Sequence, residues 1–223
     1  MGKLIYHGTS SSYLKNIFEK GIVPRHSRKP NWKDIPSQKD YVYLSQTFPL
    51  YFATHATTDN YSPLLIEIDL DCLDETLMYP DDDFVFQISN KQGNHISFED
   101  AGKLLPYNQK HWKTSLETLG NIAYKGEIPF DCITRMLQID MNKMSTPMRL
   151  FYYGMIDVSI TMIIMQIRRP TFEKNIKWLF GDINTIEEEF GFLMPGRQKA
   201  IDELSKTKDE WSKIIYERKR GKI

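Results

Sequence analysis

Leu4-Ile5-Tyr6-His7-Gly8-Thr9-Ser10 begins a strand, turn and helix unit near the start of this 223-residue chain. Its apolar first residues predict a short buried strand, and the glycine followed by hydroxyl side chains predicts a turn with several possible helix N-caps. Leu14, Ile17 and Phe18 then recur at three- and four-residue spacing, and Gly21 lies where a helix C-cap is expected. The unit is therefore predicted to span residues 4–21.

The rest of the first 145 residues is predicted to form short strands with few helices. Residues 24–40 contain three prolines and many charges, which predicts a long loop of a kind that often carries function. Patterns of apolar residues predict four more strands, at residues 41–45, 64–70, 119–124 and 133–139. A helix is predicted at residues 48–56. This order indicates an α+β domain with a mixed sheet.

The sequence pattern changes after residue 145. Residues 148–167 are apolar almost throughout, with Arg149 and Asp157 inside the run, and this predicts a buried helix rather than a membrane span. Two further helices are predicted around residues 172–180 and 197–218. We therefore expect a core domain at residues 1–145 and a helical C-terminal extension at residues 146–223 that packs on it.

Composition and charge limit the kinds of partner and of site that the chain is expected to have. The chain carries 29 basic and 29 acidic side chains, so its net charge gives no simple electrostatic argument for a nucleic-acid partner. Cys72 and Cys132 lack the spacing of a metal site and are expected to be reduced thiols. The cluster Asp81-Asp82-Asp83 follows Pro80 and predicts a turn rather than a metal site. With no membrane span and no signal-peptide pattern, the expected location is the cytoplasm.

Four short motifs carry a resemblance to a known family. They are His7-Gly8-Thr9, the helix end from Ile17 to Ile22, Val42-Tyr43-Leu44-Ser45, and Gly126-Glu127-Ile128-Pro129 with Ile133. In residue type and order they resemble the ADP-ribosyltransferases of the poly(ADP-ribose) polymerase and diphtheria-toxin type, whose relatives include RNA 2′-phosphotransferases and nucleic-acid-modifying toxins. The resemblance covers roughly residues 3–140 and implies an ADP-ribosyltransferase-like split β-sheet that binds NAD as its substrate.

The resemblance also implies roles for His7-Gly8-Thr9 and for Tyr43. Cleavage of the bond between nicotinamide and ribose passes through an oxocarbenium-like transition state, so the protein must hold NAD in a fixed position. His7 is expected to hydrogen-bond the adenosine ribose, and the Gly8 backbone is expected to bind the nicotinamide amide. The Thr9 hydroxyl would assist, and the ring of Tyr43 would stack on nicotinamide.

Three further residues are candidates for contacts with NAD. The ring of Tyr51 or of His55 is expected to cover the face of nicotinamide opposite Tyr43. Arg25 lies four residues after Gly21, in the loop expected to pass over the cleft. Its guanidinium group could pair with the pyrophosphate through two hydrogen bonds, although an exposed loop arginine is an equally good interpretation.

The third signature of the family is a glutamate at the start of a late strand, which holds the ribose 2′-hydroxyl and stabilises positive charge. Alignment on Ile128-Pro129 and Ile133 places Asn121 at this position. Glu117, expected in the preceding loop, ranks first among nearby carboxylates, and Glu127 ranks after it. Because asparagine contributes no charge, the resemblance favours transfer of a single ADP-ribose over polymer synthesis.

The acceptor of ADP-ribose is predicted from the resemblance and from two aromatic and basic clusters. Asn31-Trp32-Lys33 and His111-Trp112-Lys113 have a composition that can stack unpaired bases, although tryptophans at the edge of a core explain it equally well. We expect a mono-ADP-ribosyltransferase that acts on RNA or single-stranded DNA, as a bacterial toxin or phage-defence effector with an antitoxin protein as a possible partner. Three alternatives stay open: a non-catalytic NAD or ADP-ribose-binding module, an NAD-dependent RNA 2′-phosphotransferase, and a protein-modifying ADP-ribosyltransferase.

Overall fold

The computed structural model describes residues 3–26, 37–46, 48–58, 60–139 and 183–185. The expected helices at residues 148–167, 172–180 and 197–218 lie outside these ranges, as does the cluster Asn31-Trp32-Lys33. Within the described part of the chain, no helix is both long enough and apolar enough to cross a membrane.

The chain forms a seven-stranded sheet in which every neighbouring pair is antiparallel. The strands are β1 (Leu4–Ser10), β2 (Tyr41–Ser45), β3 (Pro63–Asp69), β4 (Met78–Pro80), β5 (Asn121–Lys125), β6 (Ile133–Ile139) and β7 (Ile183–Thr185). Their order across the sheet is β4-β5-β2-β1-β3-β6-β7. The α+β class is confirmed, but the expected mixed sheet is wrong, since adjacent strands run in opposite directions throughout. The strand β7 was also not predicted, and through it the C-terminal part of the chain joins the sheet.

Within the described ranges, five short helices connect these strands. They are α1 (Leu14–Lys20), α2 (Pro49–His55), α3 (Asp82–Lys91), α4 (Phe98–Lys103) and α5 (Trp112–Thr118). The helix α1 ends at Gly21, whose positive φ of 81° suits glycine, and α3 begins after Asp81, whose side chain accepts a hydrogen bond from the Asp83 N–H. The turn predicted at the three aspartates is therefore the first turn of a helix.

The two faces of the sheet bury different cores, because residues paired across antiparallel strands share one face. One face packs against α1 and the turn before β6, and its central residues are Ile5, Phe18, Leu44, Ile66, Ile122 and Met136. The other face packs against α3 and α4 at the β4-β5-β2 end, through Tyr41, Tyr79, Val85, Ala101, Leu105 and Ala123. The helix α2 lies on this second face beside β1. The helices α2 and α3 therefore lie on the same face of the sheet.

The two cysteines form a disulfide, so the expectation of reduced thiols is wrong. The Cα atoms of Cys72 and Cys132 are 5.5 Å apart. They approach because β3 pairs with β6, with Ile68 opposite Ile133, and each cysteine lies in the short turn next to one of those strands. The bond links residues that are 60 positions apart in the sequence.

Candidate functional site

Three adjacent strands carry His7 of the first-strand motif, Tyr43 of the second-strand motif, and Asn121 at the third motif position, the one aligned with the family's glutamate. His7 lies on β1, Tyr43 on β2 and Asn121 at the first position of β5. The order β5-β2-β1 makes these strands neighbours, and the pairs Tyr6↔Ser45 and Ser45↔Asn121 fix their register. Residues separated by more than a hundred positions in the sequence are thus within two strands of each other. By this register the side chains of Tyr43 and Asn121 lie on one face of the sheet, and that of His7 lies on the other.

His7 links β1 to β2 through its side chain. Its Nδ1–H donates to the carbonyl oxygen of Tyr43, and the two atoms are 2.9 Å apart. A neutral imidazole that donates from Nδ1 presents an acceptor at Nε2. The ring is half-buried, so this arrangement fixes its orientation while leaving part of it at the surface.

The backbone N–H and C=O groups of Gly8 face β2, but no described backbone pair joins β1 and β2 at this residue. Backbone groups of successive strand residues point to opposite edges. The carbonyl of Lys3 accepts from Leu70 N on the β3 side, and the carbonyl of Leu4 accepts from Gln46 Nε2 on the β2 side. By this alternation the N–H and C=O of Gly8 point toward β2. Within the described residues, however, the β1–β2 register consists of the single pair Tyr6↔Ser45.

Gly8 is also required for the position of α2. A Cβ atom at this residue would lie 2.0 Å from the Pro49 carbonyl oxygen and 2.6 Å from the Ala53 nitrogen, distances that a real structure does not allow. The absence of a side chain therefore lets the helix rest directly on β1. The turn predicted at Gly8 is wrong, because β1 continues through this residue to Ser10. To the expected role in ligand approach the structure adds this packing role.

The hydroxyl group of Tyr43 is held by two partners. It donates to the Asp82 carboxylate, whose two oxygens lie 2.9 and 2.8 Å away, and it accepts from the Gln38 N–H at 3.1 Å. Its ring packs against the core at the β4-β5-β2 end. Burial, followed by the charge of Asp82, raises the pKa of Tyr43 well above its ordinary value, so the phenol stays protonated.

Asp82 is a member of the site that the sequence interpretation missed. It occupies the first turn of α3, and burial raises its pKa to about 6, with the nearby charge of Asp83 acting in the same direction. The hydrogen bond from Tyr43 opposes this rise. The capping pattern at Asp81 could have indicated a helix start in the sequence, but no local signal connects Asp82 with Tyr43.

The third motif position is occupied by a neutral and fully packed side chain. Asn121 is only 3% exposed, and its Oδ1 accepts from the Ser45 hydroxyl at 2.6 Å. The same Ser45 oxygen accepts from the Phe48 N–H at 2.7 Å, at the entrance to α2. Asn121 therefore helps to fix β2 and α2 relative to β5, and it brings no charge to the site.

The two glutamates considered for this position are both exposed. Glu117 lies in α5 rather than in a loop, so that part of the prediction is wrong. Glu127 lies in the turn that follows β5. The helix continues to Thr118 because Leu119 and Gly120 still donate to carbonyls of its last turn.

The remaining candidate residues have different surroundings. Arg25 donates from Nε and Nη2 to the carbonyl oxygen of Ser37, at 2.8 and 2.7 Å, and so joins the two described ends of the loop. Thr9 is buried on β1. The rings of Tyr51 and His55 lie 4.2 Å apart on α2.

Tyr51 is a buried residue of α2. Burial raises its pKa, and the charge of Asp83 acts in the same direction.

The cluster His111-Trp112-Lys113 does not form a base-stacking surface. Trp112 is partly buried against the core on the α1 side of the sheet. Lys113 Nζ lies 2.8 Å from a carboxylate oxygen of Glu75 and 5.1 Å from the centre of the Trp112 ring. The interpretation as a tryptophan at the edge of a core is therefore the better one.

Comparison with known proteins gives little further information. No family model matches the chain, and no curated protein matches it. Among solved structures the chain is similar to "EcPltA", with 10% sequence identity over 62% of this chain and 77% of that chain, and a TM-score of 0.38. A likeness at this level supports no functional argument.

Proposed function

We propose that this protein is a mono-ADP-ribosyltransferase that takes NAD as substrate and transfers ADP-ribose to a macromolecular acceptor. The observation that supports the proposal is that His7, Tyr43 and Asn121 lie on the adjacent strands β1, β2 and β5, with the His7 side chain hydrogen-bonded to the backbone of Tyr43. These are the positions at which the motif resemblance expects the NAD-binding residues.

The residues around Gly8 are suited to nicotinamide. The N–H and C=O of Gly8 face β2 beyond the last described ladder pair, so they are directed to pair with a planar carboxamide. The ring of Tyr43 is part of the same strand region and is held by its hydroxyl. An aromatic ring so placed can stack on the cationic nicotinamide of NAD.

The chemical step is the exchange of one bond at the ribose. The bond between nicotinamide nitrogen and ribose C1′ breaks, and its electron pair leaves with nicotinamide. A nucleophilic atom of the acceptor then forms a bond to C1′ and loses its proton. The positive charge that develops on the ribose is stabilised by negative or dipolar groups that are already in position.

A neutral third position favours transfer of a single unit. Asn121 is locked by Ser45 and lacks the charge that the family's glutamate supplies. The acceptor is proposed as RNA or single-stranded DNA on the resemblance to nucleic-acid-modifying toxins. A toxin or phage-defence effector with an antitoxin is the corresponding biological setting.

A non-catalytic NAD or ADP-ribose-binding module is the second candidate. The observation in its favour is the same Asn121, whose side chain is buried and engaged with Ser45 rather than presented to a ligand. Such a module would bind NAD and leave the nicotinamide–ribose bond intact.

The test is incubation of the purified protein with labelled NAD and, in parallel, RNA, single-stranded DNA and total protein. With the wild-type protein, we expect label to enter one of these pools. With the His7→Ala, Tyr43→Ala double variant, we expect this label to be lost. The matched control is His95→Ala, Tyr107→Ala, which removes the same residue types at exposed positions. Thermal melting of both variants separates loss of activity from loss of fold.

Three outcomes of the test separate the candidates. Transfer that is lost in the first double variant and kept in the control supports the transferase and identifies the acceptor class. Measurable NAD binding without nicotinamide release supports the binding module. Equal transfer by both double variants contradicts the proposed site.

A further inference from the structure

The carboxylate nearest to Tyr43 comes from α3, not from the third motif position. Asp82 accepts a hydrogen bond from the Tyr43 hydroxyl, and both of its carboxylate oxygens lie within 2.9 Å of the hydroxyl oxygen. Among the candidates for the missing charge, Glu117 and Glu127 are exposed on other elements. Asn121 cannot ionise at all.

We infer that Asp82 is a positioning residue of the proposed reaction, which fixes the Tyr43 ring against nicotinamide. This inference rests on the proposed function. It goes beyond the motif resemblance, which provides no residue from the segment that contains Asp82.

The hydrogen bonds decide how Tyr43 acts. A tyrosine hydroxyl has one proton to donate, and here it is donated to Asp82. The Gln38 N–H occupies an acceptor site of the same oxygen. Tyr43 therefore acts on a substrate through the face of its ring, and Asp82 and Gln38 set the orientation of that ring.

Capping of the helix α3 does not explain the position of the Asp82 side chain. The cap of α3 is provided by Asp81, whose Oδ1 accepts from the Asp83 N–H at 2.9 Å. Asp82 instead directs its carboxylate to a side chain on β2, 39 positions away in the sequence. A charge-assisted hydrogen bond of this kind both orders its donor and polarises it.

The charge of Asp82 is set by its surroundings. Burial raises its pKa to about 6, so the carboxylate is ionised at neutral pH and becomes protonated in mild acid. The groups that face it are Tyr43 and Tyr41 on β2 and its neighbours Asp81 and Asp83 on α3. Activity that needs the ionised form will therefore fall as the pH drops through about 6.

The experiment measures nicotinamide release from NAD between about pH 5 and about pH 8, a range that brackets this pKa of about 6. The variants are Asp82→Asn and Asp82→Glu, with Asp83→Asn as the adjacent control. We expect Asp82→Asn to lower kcat about tenfold to a hundredfold, the value of one hydrogen bond to a charged group, and to remove the acidic limb of the profile. Asp82→Glu keeps the carboxylate and should retain the limb, and Asp83→Asn should keep kcat within about twofold.

A second pair of variants tests whether Asp82 acts through Tyr43. Tyr43→Phe retains the stacking ring but loses the hydroxyl, so Asp82→Asn should cause no further loss of kcat in that background. A further loss overturns the positioning role. Thermal melting confirms that each variant is folded at the assay temperature.

The outcomes separate this inference from the proposed function. If the wild-type protein releases nicotinamide while Asp82→Asn matches it in kcat and pH profile, the inference fails and the transferase stands. An acidic limb that survives in Asp82→Asn belongs to another group, such as His7, and also overturns the inference. If the wild-type protein releases no nicotinamide in any pool, both the inference and the proposed function fail.

Discussion

Replacement of Asp82 by asparagine should stabilise the folded protein at neutral pH. The ordinary pKa of 3.8 describes this carboxyl in the unfolded chain, and burial raises it to about 6 in the folded state. At ~1.4 kcal/mol per pKa unit, this difference corresponds to about 3 kcal/mol. The folded protein carries that cost whenever Asp82 is ionised.

The pH dependence follows from the sign of the pKa change. Because the pKa is higher in the folded state, the favourable contribution of the protonated group is complete below 3.8 and is lost as the pH rises through about 6. Asparagine does not ionise, and its Oδ1 can still accept from Tyr43. The free energy of unfolding of Asp82→Asn should therefore exceed that of the wild type by up to about 3 kcal/mol at pH 7, and the gain should shrink to under about 1 kcal/mol near pH 4.

The assay is urea denaturation of both proteins at these two pH values, with Glu127→Gln as a control that removes one exposed carboxylate. The control should change the free energy of unfolding by less than about 0.5 kcal/mol. A loss of stability in Asp82→Asn at pH 7 would refute the reasoning. So would a gain of the same size at both pH values, because that gain could not come from ionisation.

Three further predictions concern packing and covalent structure. Gly8→Ala should lower the free energy of unfolding by at least about 2 kcal/mol in urea titrations, since its Cβ would overlap the backbone of α2; a neutral effect would show that α2 can move. Glu67→Ala should cost about 3–5 kcal/mol because it leaves Arg135 and the buried Tyr6 hydroxyl without the carboxylate that both contact. Glu67→Gln still accepts from Tyr6 and should cost less, and equal losses for the two variants in urea denaturation would contradict this. Reduction of the Cys72–Cys132 disulfide should lower the free energy of unfolding by about 4 kcal/mol, because this is the value expected for a closed loop of 60 residues. An unchanged melting temperature in reductant would contradict this prediction.

Local sequence patterns predicted several elements well. The strand at residues 41–45 and the strand at residues 133–139 match β2 and β6 in both bounds, and the helix expected at residues 48–56 matches α2 closely. Asn121 was placed at the start of a late strand, where β5 begins. These features depend on periodicity, caps and turns, which involve residues within a few positions of each other.

Less regular segments were not predicted. No helix or strand was predicted between residue 70 and residue 119, yet this region contains β4, α3, α4 and α5. Those elements are short, and each buries only a few residues, so their periodic signals are weak. The helix character at Glu117 was missed for the same reason.

The sequence by itself determined a strand followed by a helix at residues 4–21, the glycine that ends this helix, and the absence of a glutamate at Asn121. Only the tertiary structure decided that Asp82 meets Tyr43 and that Cys72 meets Cys132. Both contacts depend on which strands become neighbours in the antiparallel sheet. That order is a property of the whole packed core, because each strand must bury its two faces against elements that are distant in the chain.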